Sequence, residues 1–262
     1  MLYFSLKQVF FGALAALALA APLSHAQTTP DKAGDSMKAI KNIVLVHGAF
    51  ADGSSWAAVT ARLQAAGFRV TAVQNPLTSL ADDVAATERV LARQDGDVLL
   101  VGHSWGGAVI TQAGNHEKVK KLVYVSALVP DSGESVADLL ERLNAPMEGL
   151  QPDSAGWLWL DNAAAYQQVM ANDLSESAVR ALVAVQQPMR AAAFGDKVTQ
   201  AAWRGKPSAY VLTEQDHALA PTVQQRLAAQ INARVSRINA SHLSLLSQPD
   251  AVAAAIQAAA QE

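Results

Sequence analysis

The sequence contains no cysteine, and its charged residues are few and nearly balanced in sign. The absence of cysteine excludes disulfides, thiolate metal sites and a cysteine nucleophile. Lysine and arginine number 20 and aspartate and glutamate 23 among 262 residues, which gives a net charge of −3. No block of basic residues is present that could follow a phosphate backbone. The composition therefore argues against a nucleic-acid partner.

A long apolar stretch lies near the N-terminus, from Val9 to Leu23. It contains Gly12 and Pro22, and it is shorter than the about 20 apolar residues that a membrane span needs. With small residues at the end of the segment, residues 1–26 are typical of a secretory signal peptide. We expect cleavage after Ala26, a periplasmic or secreted protein, and no stable membrane anchor in the mature chain.

Beyond a predicted flexible leader at residues 27–40, strand-like and helix-like segments alternate to the C-terminus. This alternation predicts an α/β fold, with a mostly parallel, doubly wound sheet and helices on both faces, over residues 41–262. The predicted strands are Asn42 to Val46, Arg69 to Val73, Asp97 to Val101, Lys121 to Ser126, Ser208 to Leu212 and Arg234 to Ile238.

The segment from Ser135 to Ala202 interrupts this alternation, because it is rich in alanine, typical of helices throughout and without a convincing strand. It falls between two predicted strands, so we expect an inserted helical cap over the strand ends. Ordinary crossover helices are the alternative. Trp157 and Trp159 in this segment, with Phe50 outside it, are candidates for lining a substrate pocket, although aromatic side chains in an alanine-rich helical segment are more often part of the core.

Two serines are placed to begin helices. Ser54 is predicted to cap a helix that ends at Gly67, and Ser79 to begin the next one. A last helix is predicted from Pro249 to Ala260.

The run Gly102-His103-Ser104-Trp105-Gly106 follows an aliphatic strand and precedes a helix-like segment. A serine at a tight strand-to-helix turn needs small flanking residues, and the two glycines supply them. The N–H groups of the following helix face the position where negative charge develops in acyl transfer. The pattern predicts that Ser104 is a nucleophile. A chance match in a loop is the alternative.

A serine nucleophile needs a histidine base, and the histidine needs an acid to orient it. His242 follows the last predicted strand, which fits the chain order serine, acid, histidine. His217 directly follows Asp216, and neighbouring side chains diverge too far to pair easily. We therefore predict His242 as the base. Asp216 is the predicted acid, with Glu214 as the alternative.

An oxyanion hole needs two N–H donors that point to one position. Trp105, directly after the predicted nucleophile, is expected to supply one of them. The other is expected from Ala49, with Phe50 as the alternative, in the loop that follows the first strand. His47 at the start of this loop is expected either to order it through its ring nitrogens or simply to pack.

Together these motifs resemble the α/β-hydrolase superfamily, from about Lys41 to the C-terminal helix. Three segments are more narrowly similar to the plant methyl esterase and hydroxynitrile lyase group: His47-Gly48-Ala49 with Trp56 following, Leu122 to Asp131, and Thr213 to Asp216. The resemblance implies a triad of Ser104, Asp216 and His242, and an oxyanion N–H at Ala49.

The residue after the predicted base distinguishes the two chemistries of that group. The lyases have a lysine there, where this sequence has Leu243, so the resemblance favours ester hydrolysis. We expect a serine hydrolase of carboxylesterase type that cleaves a small ester through an acyl-enzyme, with no metal and no organic cofactor. The alternatives are a cofactor-free lyase or haloperoxidase-like activity on the same triad, and a catalytically inactive protein that binds a small ligand.

Overall fold

The structure, a computed structural model, describes residues 40–147 and 149–261. The predicted signal peptide and residues 27–39 of the predicted leader lie outside the described residues, so cleavage and export stay predictions. Ile40 was assigned to the leader, but it is only 6% exposed and packs in the apolar core. Ile40 therefore belongs to the folded domain and not to the leader.

Within the described residues, six parallel strands form one sheet in the order β2-β1-β3-β4-β7-β8. They are β1 (Asn42–Val46), β2 (Arg69–Ala72), β3 (Val98–His103), β4 (Val119–Val125), β7 (Ser208–Thr213) and β8 (Arg234–Ile238). Both β1 and β3 are buried along their whole length, as expected for strands covered on both faces. The predicted fold class is confirmed.

Helices cover both faces of the sheet. They are α1 (Ala57–Ala65), α2 (Leu80–Ala92), α3 (Gly106–Ala113), α4 (Val136–Arg142), α5 (Ala163–Met170), α6 (Glu176–Val185), α7 (Pro221–Gln230), α8 (Ser244–Ser247) and α9 (Pro249–Gln261). Side chains along a strand alternate between its two faces. Accordingly, Ile43 and Leu45 of β1 belong to one apolar cluster with residues of α1 and α9, whereas Val44 and Val46 belong to a second cluster with residues of α2, α3 and α7. No helix in the described ranges has the length and apolar character needed to cross a bilayer.

The insertion between β4 and β7 contains α4, α5 and α6 and also two short antiparallel strands, β5 (Trp157–Leu158) and β6 (Met189–Arg190). The expectation that the segment from Ser135 to Ala202 lacks strands was therefore wrong, because a two-residue strand has no periodicity that a sequence can reveal. The insertion reaches the end of β3, where the ring of Phe194 lies 5.3 Å from that of Trp105.

The two predicted helix starts have different outcomes. Ser79 caps α2, because its hydroxyl accepts a hydrogen bond from the N–H of Asp82 at 3.0 Å. Ser54 is not a cap. Asp52 begins a 3-10 turn at Gly53–Trp56, and its carboxylate accepts the N–H of Ser54 at 2.6 Å. Serine and aspartate are similarly good caps, so the sequence alone could not rank these two neighbours.

The first prediction follows from this difference between the two serines. Replacing Ser79 by alanine should lower the free energy of unfolding by about 1 kcal/mol, because α2 loses its N-terminal acceptor. Ser54→Ala is the matched control, and it should change that free energy by less than about 0.5 kcal/mol. Urea unfolding measures both values, and an equal loss in the two variants would contradict the assignment of the cap.

Candidate active site

Ser104 lies between β3 and α3 with a φ of +51°, in the left-handed region that a residue other than glycine rarely adopts. Its N–H donates to the carbonyl of Val125 at 3.2 Å, and its own carbonyl accepts the N–H groups of Gly107 and Leu128. A Cβ atom on Gly106 would lie 2.6 Å from the carbonyl oxygen of Val46. The turn therefore requires glycine there and holds Ser104 in the strained conformation typical of a nucleophile elbow.

Asp216 and His242 form a hydrogen bond of 2.8 Å between Oδ2 and Nδ1. Their side chains are 0% and 3% exposed, so water scarcely reaches the pair. The other carboxylate oxygen of Asp216 accepts the backbone N–H groups of Ala218 at 2.9 Å and Leu219 at 2.7 Å. The loop that follows β7 thus wraps around the carboxylate and fixes its orientation.

Two buried polar side chains also donate to Oδ2 of Asp216. The hydroxyl of Thr213 and the amide of Gln224 each lie 2.9 Å from it. Burial by itself would raise the pKa of Asp216, but His242, the N–H of Leu219 and the hydroxyl of Thr213 outweigh burial and hold the pKa below its usual value. Asp216 is therefore a carboxylate at neutral pH and can only accept hydrogen bonds. Nδ1 of His242 must be the donor, which leaves a lone pair on Nε2 of the neutral ring.

The alternative acid and the alternative base lie elsewhere. Glu214 is exposed, and its carboxylate is 3.8 Å from the guanidinium of Arg237. His217 is exposed as well, and its Nδ1–H donates to the carbonyl of Gln168 at 2.8 Å. The structure thus brings together Asp216 and His242.

His103 is a positioning residue that the sequence reasoning missed. Its ring is buried, its centroid lies 4.8 Å from that of His242, and its Nε2–H donates to the backbone carbonyl of His242 at 2.9 Å. Burial lowers the pKa of His103 to about 3, so the ring stays neutral. In the sequence, His103 could have been noticed as a polar residue at the end of an aliphatic strand. Its partner is 139 residues away in the chain.

The hydroxyl of Ser104 makes no hydrogen bond to His242 or to any other residue that the structure describes. Ser104 directly follows His103, whose ring contacts His242. In ligand-free enzymes such contacts are often long and tighten only when substrate binds.

The loop after β1 approaches Ser104 closely, since a Cβ atom on Gly48 would lie 2.8 Å from the Cβ of Ser104. Nε2 of the buried His47 accepts the N–H of Asn75 at 2.9 Å, so its Nδ1–H must donate to the carbonyl of Gly48. Burial lowers the pKa of His47, which favours this neutral ring. The interpretation that His47 orders the loop through its ring nitrogens is confirmed.

Of the predicted oxyanion donors, Trp105 directly follows Ser104, and Ala49 follows Gly48, where the loop after β1 approaches Ser104. Phe50 has a φ of +59°, which turns the backbone sharply after Ala49. In the described part of the chain, the backbone N–H groups of Ala49, Phe50 and Trp105 donate to no protein acceptor. Backbone donors that are not used within the fold can bind an oxyanion, so this arrangement suits both the predicted pair and the alternative with Phe50.

Trp105 is anchored by Asp83, which the sequence reasoning also missed. The indole N–H donates to Oδ2 of Asp83 at 2.7 Å, and the N–H of Leu77 donates to Oδ1 at 2.8 Å. Asp83 is 0% exposed, and burial raises its pKa to about 6. A carboxylate in the first turn of a helix is common, so the sequence gives no sign that its partner is an indole 22 positions away.

A pocket beside the site is lined on its apolar side by Phe50, Tyr166, Leu182, Leu243 and Leu246. Phe50 lines this pocket, and its contact with a substrate stays a prediction.

The other two pocket candidates lie elsewhere. Trp157 packs against the guanidinium of Arg190, which is 4.9 Å from the ring centroid. Trp159 is 43% exposed and donates to Asp153 at 3.1 Å. These contacts place both tryptophans outside the pocket that Phe50 lines.

The second prediction concerns Asp83. Its raised pKa means that the folded protein binds the proton more tightly than the unfolded chain does. The free energy of unfolding of the wild type, relative to Asp83→Asn, should therefore be highest below the ordinary pKa of 3.8 and should fall until about pH 6. The slope inside this window should be about 1 kcal/mol per pH unit at most.

Urea unfolding from pH 4.5 to 7.5 measures this difference. The neighbouring Asp82 is the control, because hydrogen bonds from the hydroxyls of Thr78 and Ser79 lower its pKa. The corresponding difference for Asp82→Asn should not fall over the same range. A constant difference for Asp83→Asn would contradict the assignment.

Comparisons with known proteins agree with this fold. A family model described as the alpha/beta hydrolase family matches residues 43–255. The alpha/beta hydrolase nvfD of Aspergillus novofumigatus is 27% identical over 242 residues, which cover 84% of this chain and 96% of that protein. Methylesterase 3 of Arabidopsis thaliana is 31% identical over 119 residues, or 39% of this chain and 45% of that protein.

A solved structure with a similar fold is polyneuridine aldehyde esterase, with a TM-score of 0.71 and 21% identity. The match covers 83% of this chain and 98% of that one. The predicted resemblance to the methyl esterase and hydroxynitrile lyase group is confirmed. Since the family model spans most of the sequence, the chain belongs to the alpha/beta hydrolase family.

Proposed function

We propose that this protein is a serine hydrolase of carboxylesterase type that cleaves a small ester with Ser104, His242 and Asp216. The observation that carries the proposal is the buried hydrogen bond of 2.8 Å between Asp216 and Nδ1 of His242. It fixes the ring in the tautomer whose Nε2 can accept a proton. A methylesterase and an esterase that hydrolyses carbendazim are among the similar proteins, which supports an ester as the substrate.

In the proposed reaction, Ser104 Oγ attacks the ester carbonyl while Nε2 of His242 accepts the hydroxyl proton. The carbonyl oxygen becomes an oxyanion, which the N–H groups of Ala49 and Trp105 stabilise, with Phe50 as the alternative donor. When the carbon–oxygen bond to the alcohol breaks, His242 returns the proton to the leaving oxygen. The product is an acyl-enzyme on Ser104.

Water completes the cycle. His242 accepts a proton from the water that attacks the acyl carbonyl, and it then protonates Ser104 Oγ as the carboxylic acid leaves. Throughout, the carboxylate of Asp216 stabilises the positive charge that His242 acquires. Leu243 follows the base with an uncharged side chain that is buried, so no cation lies next to His242 in sequence to stabilise a cyanide leaving group. This observation favours hydrolysis over lyase chemistry.

The third prediction tests the nucleophile. Ser104→Ala should lower the turnover of an activated aryl ester at least about 10³-fold, because the acyl-enzyme cannot form. A fluorophosphonate probe should label the wild type and leave Ser104→Ala unlabelled. Ser177→Ala is a matched control, because Ser177 is an exposed serine at the start of α6 and should leave both measurements unchanged.

Two results would contradict the proposal. Full turnover in Ser104→Ala would mean that another group attacks the ester. A wild type that neither reacts with the probe nor hydrolyses any member of an ester panel would favour the alternative of an inactive protein that binds a small ligand.

A further inference from the structure

One short stretch of the cap, residues 168–173 at the end of α5 and just after it, bonds to the chain on both sides of Asp216. The side-chain amide of Asn172 donates to the carbonyl of Gln215, the residue before Asp216, at 3.1 Å. The ring of His217, the residue after Asp216, donates to the carbonyl of Gln168 at 2.8 Å. The loop that holds the acid is therefore attached to the cap at both of its flanking residues.

The same stretch also bonds to both sides of His242. The N–H of Ser241, the residue before the histidine, donates to a carboxylate oxygen of Asp173 at 2.9 Å. The N–H of Leu243, the residue after it, donates to the carbonyl of Met170 at 3.2 Å. Four hydrogen bonds from six consecutive cap residues thus flank the acid and the base in sequence.

The two loops are also bonded directly to each other, because the N–H of Gln215 donates to the carbonyl of Ala240 at 3.0 Å. The cap stretch therefore attaches to a pair of loops that are already bonded to each other. Its contribution is to fix where this pair lies relative to the cap.

We propose that residues 168–173 are a clamp that aligns Asp216 and His242, with Asn172 and Asp173 as its positioning residues. Two of the four bonds are made by side chains of the clamp, those of Asn172 and Asp173, so a substitution can remove each one separately. Burial would raise the pKa of Asp173, but its hydrogen bonding with Ser241 outweighs burial and lowers the pKa. Asp173 is therefore a carboxylate at neutral pH and a strong acceptor for the N–H of Ser241.

The clamp also joins the helices that line the pocket. Tyr166 of α5 and Leu182 of α6 lie on either side of it in sequence, and both contact the pocket that Phe50 and Leu243 line. A group bound there touches the helix on each side of the clamp and also Leu243, which the clamp holds. Residues of the cap thus both line the pocket and position His242.

The expected effect of the clamp on turnover rests on the proposed function. A second measurement, the NMR signal of the Nδ1 proton of His242, does not depend on hydrolysis. Asp173→Ala should lower kcat for an activated ester about 10-fold, since small displacements of a catalytic group are costly. KM should stay within about twofold, because the pocket side chains are unchanged. Asp173→Asn keeps an oxygen that can accept the N–H of Ser241, and it should restore most of the lost turnover.

Asp153→Ala is the matched control. Asp153 is also a cap aspartate that accepts backbone N–H groups, but its partners, Ala155 and Trp157, belong to the cap itself. If loosening the cap were enough to slow the reaction, Asp153→Ala would lower kcat as well. We expect no such change. Asn172→Ala removes a different bond of the clamp and provides a second test should Asp173→Ala fail to fold.

Proton NMR of protein labelled with ¹⁵N-histidine supplies the readout that is independent of hydrolysis. The Nδ1 proton of His242, bonded to Asp216, should give a slowly exchanging low-field signal. This signal should broaden in Asp173→Ala and return in Asp173→Asn. An Nδ1 signal as sharp in Asp173→Ala and Asn172→Ala as in the wild type would overturn the clamp. A wild type without Ser104-dependent hydrolysis would overturn the proposed function, and the NMR signal would still test the clamp.

Discussion

The candidate site depends on one buried interaction, the hydrogen bond between the carboxylate of Asp216 and the ring of His242. An ionised carboxylate away from water is costly unless donors surround it. The chain meets this requirement with Thr213, Gln224 and two backbone amides. Their combined effect keeps the acid charged, and a charged acid in turn determines which nitrogen of His242 carries the proton. The orientation of the His242 ring is thus a consequence of the hydrogen bonds that the carboxylate of Asp216 accepts.

The backbone conformation around Ser104 is a second constraint on the candidate site. Ser104 and Phe50 both have positive φ angles, although neither is glycine. Such conformations persist only where the surroundings hold them, and they are frequent at functional sites. At Ser104, the close approach of α3 to β1 at Gly106 holds the backbone in this conformation. At Phe50, the loop is ordered by the ring of His47, whose two nitrogens both form hydrogen bonds. Rigid elements thereby place Ser104 next to N–H groups that have no partner within the described fold.

Much of this could be predicted from the sequence, because its signals are local. An aliphatic run that ends in glycine and serine predicts a buried strand and a sharp turn, and chain order separates His242 from His217. The supporting residues could not be predicted. His103 and Asp83 act through partners 139 and 22 positions away, and no periodicity encodes such contacts. The choice between Asp216 and Glu214 likewise depended on how a loop folds back, which the structure shows and the sequence only suggests.

The most direct test of this account compares Asp216→Asn with Glu214→Gln, two amide substitutions two residues apart on one loop. An amide at position 216 can donate to Nδ1 of His242 and so stabilise the wrong tautomer. Turnover of an activated ester should therefore fall on the order of 10⁴-fold in Asp216→Asn. Because Glu214 is exposed and lies near Arg237, Glu214→Gln should retain full turnover. Full turnover in Asp216→Asn, or a larger loss in Glu214→Gln, would contradict the account.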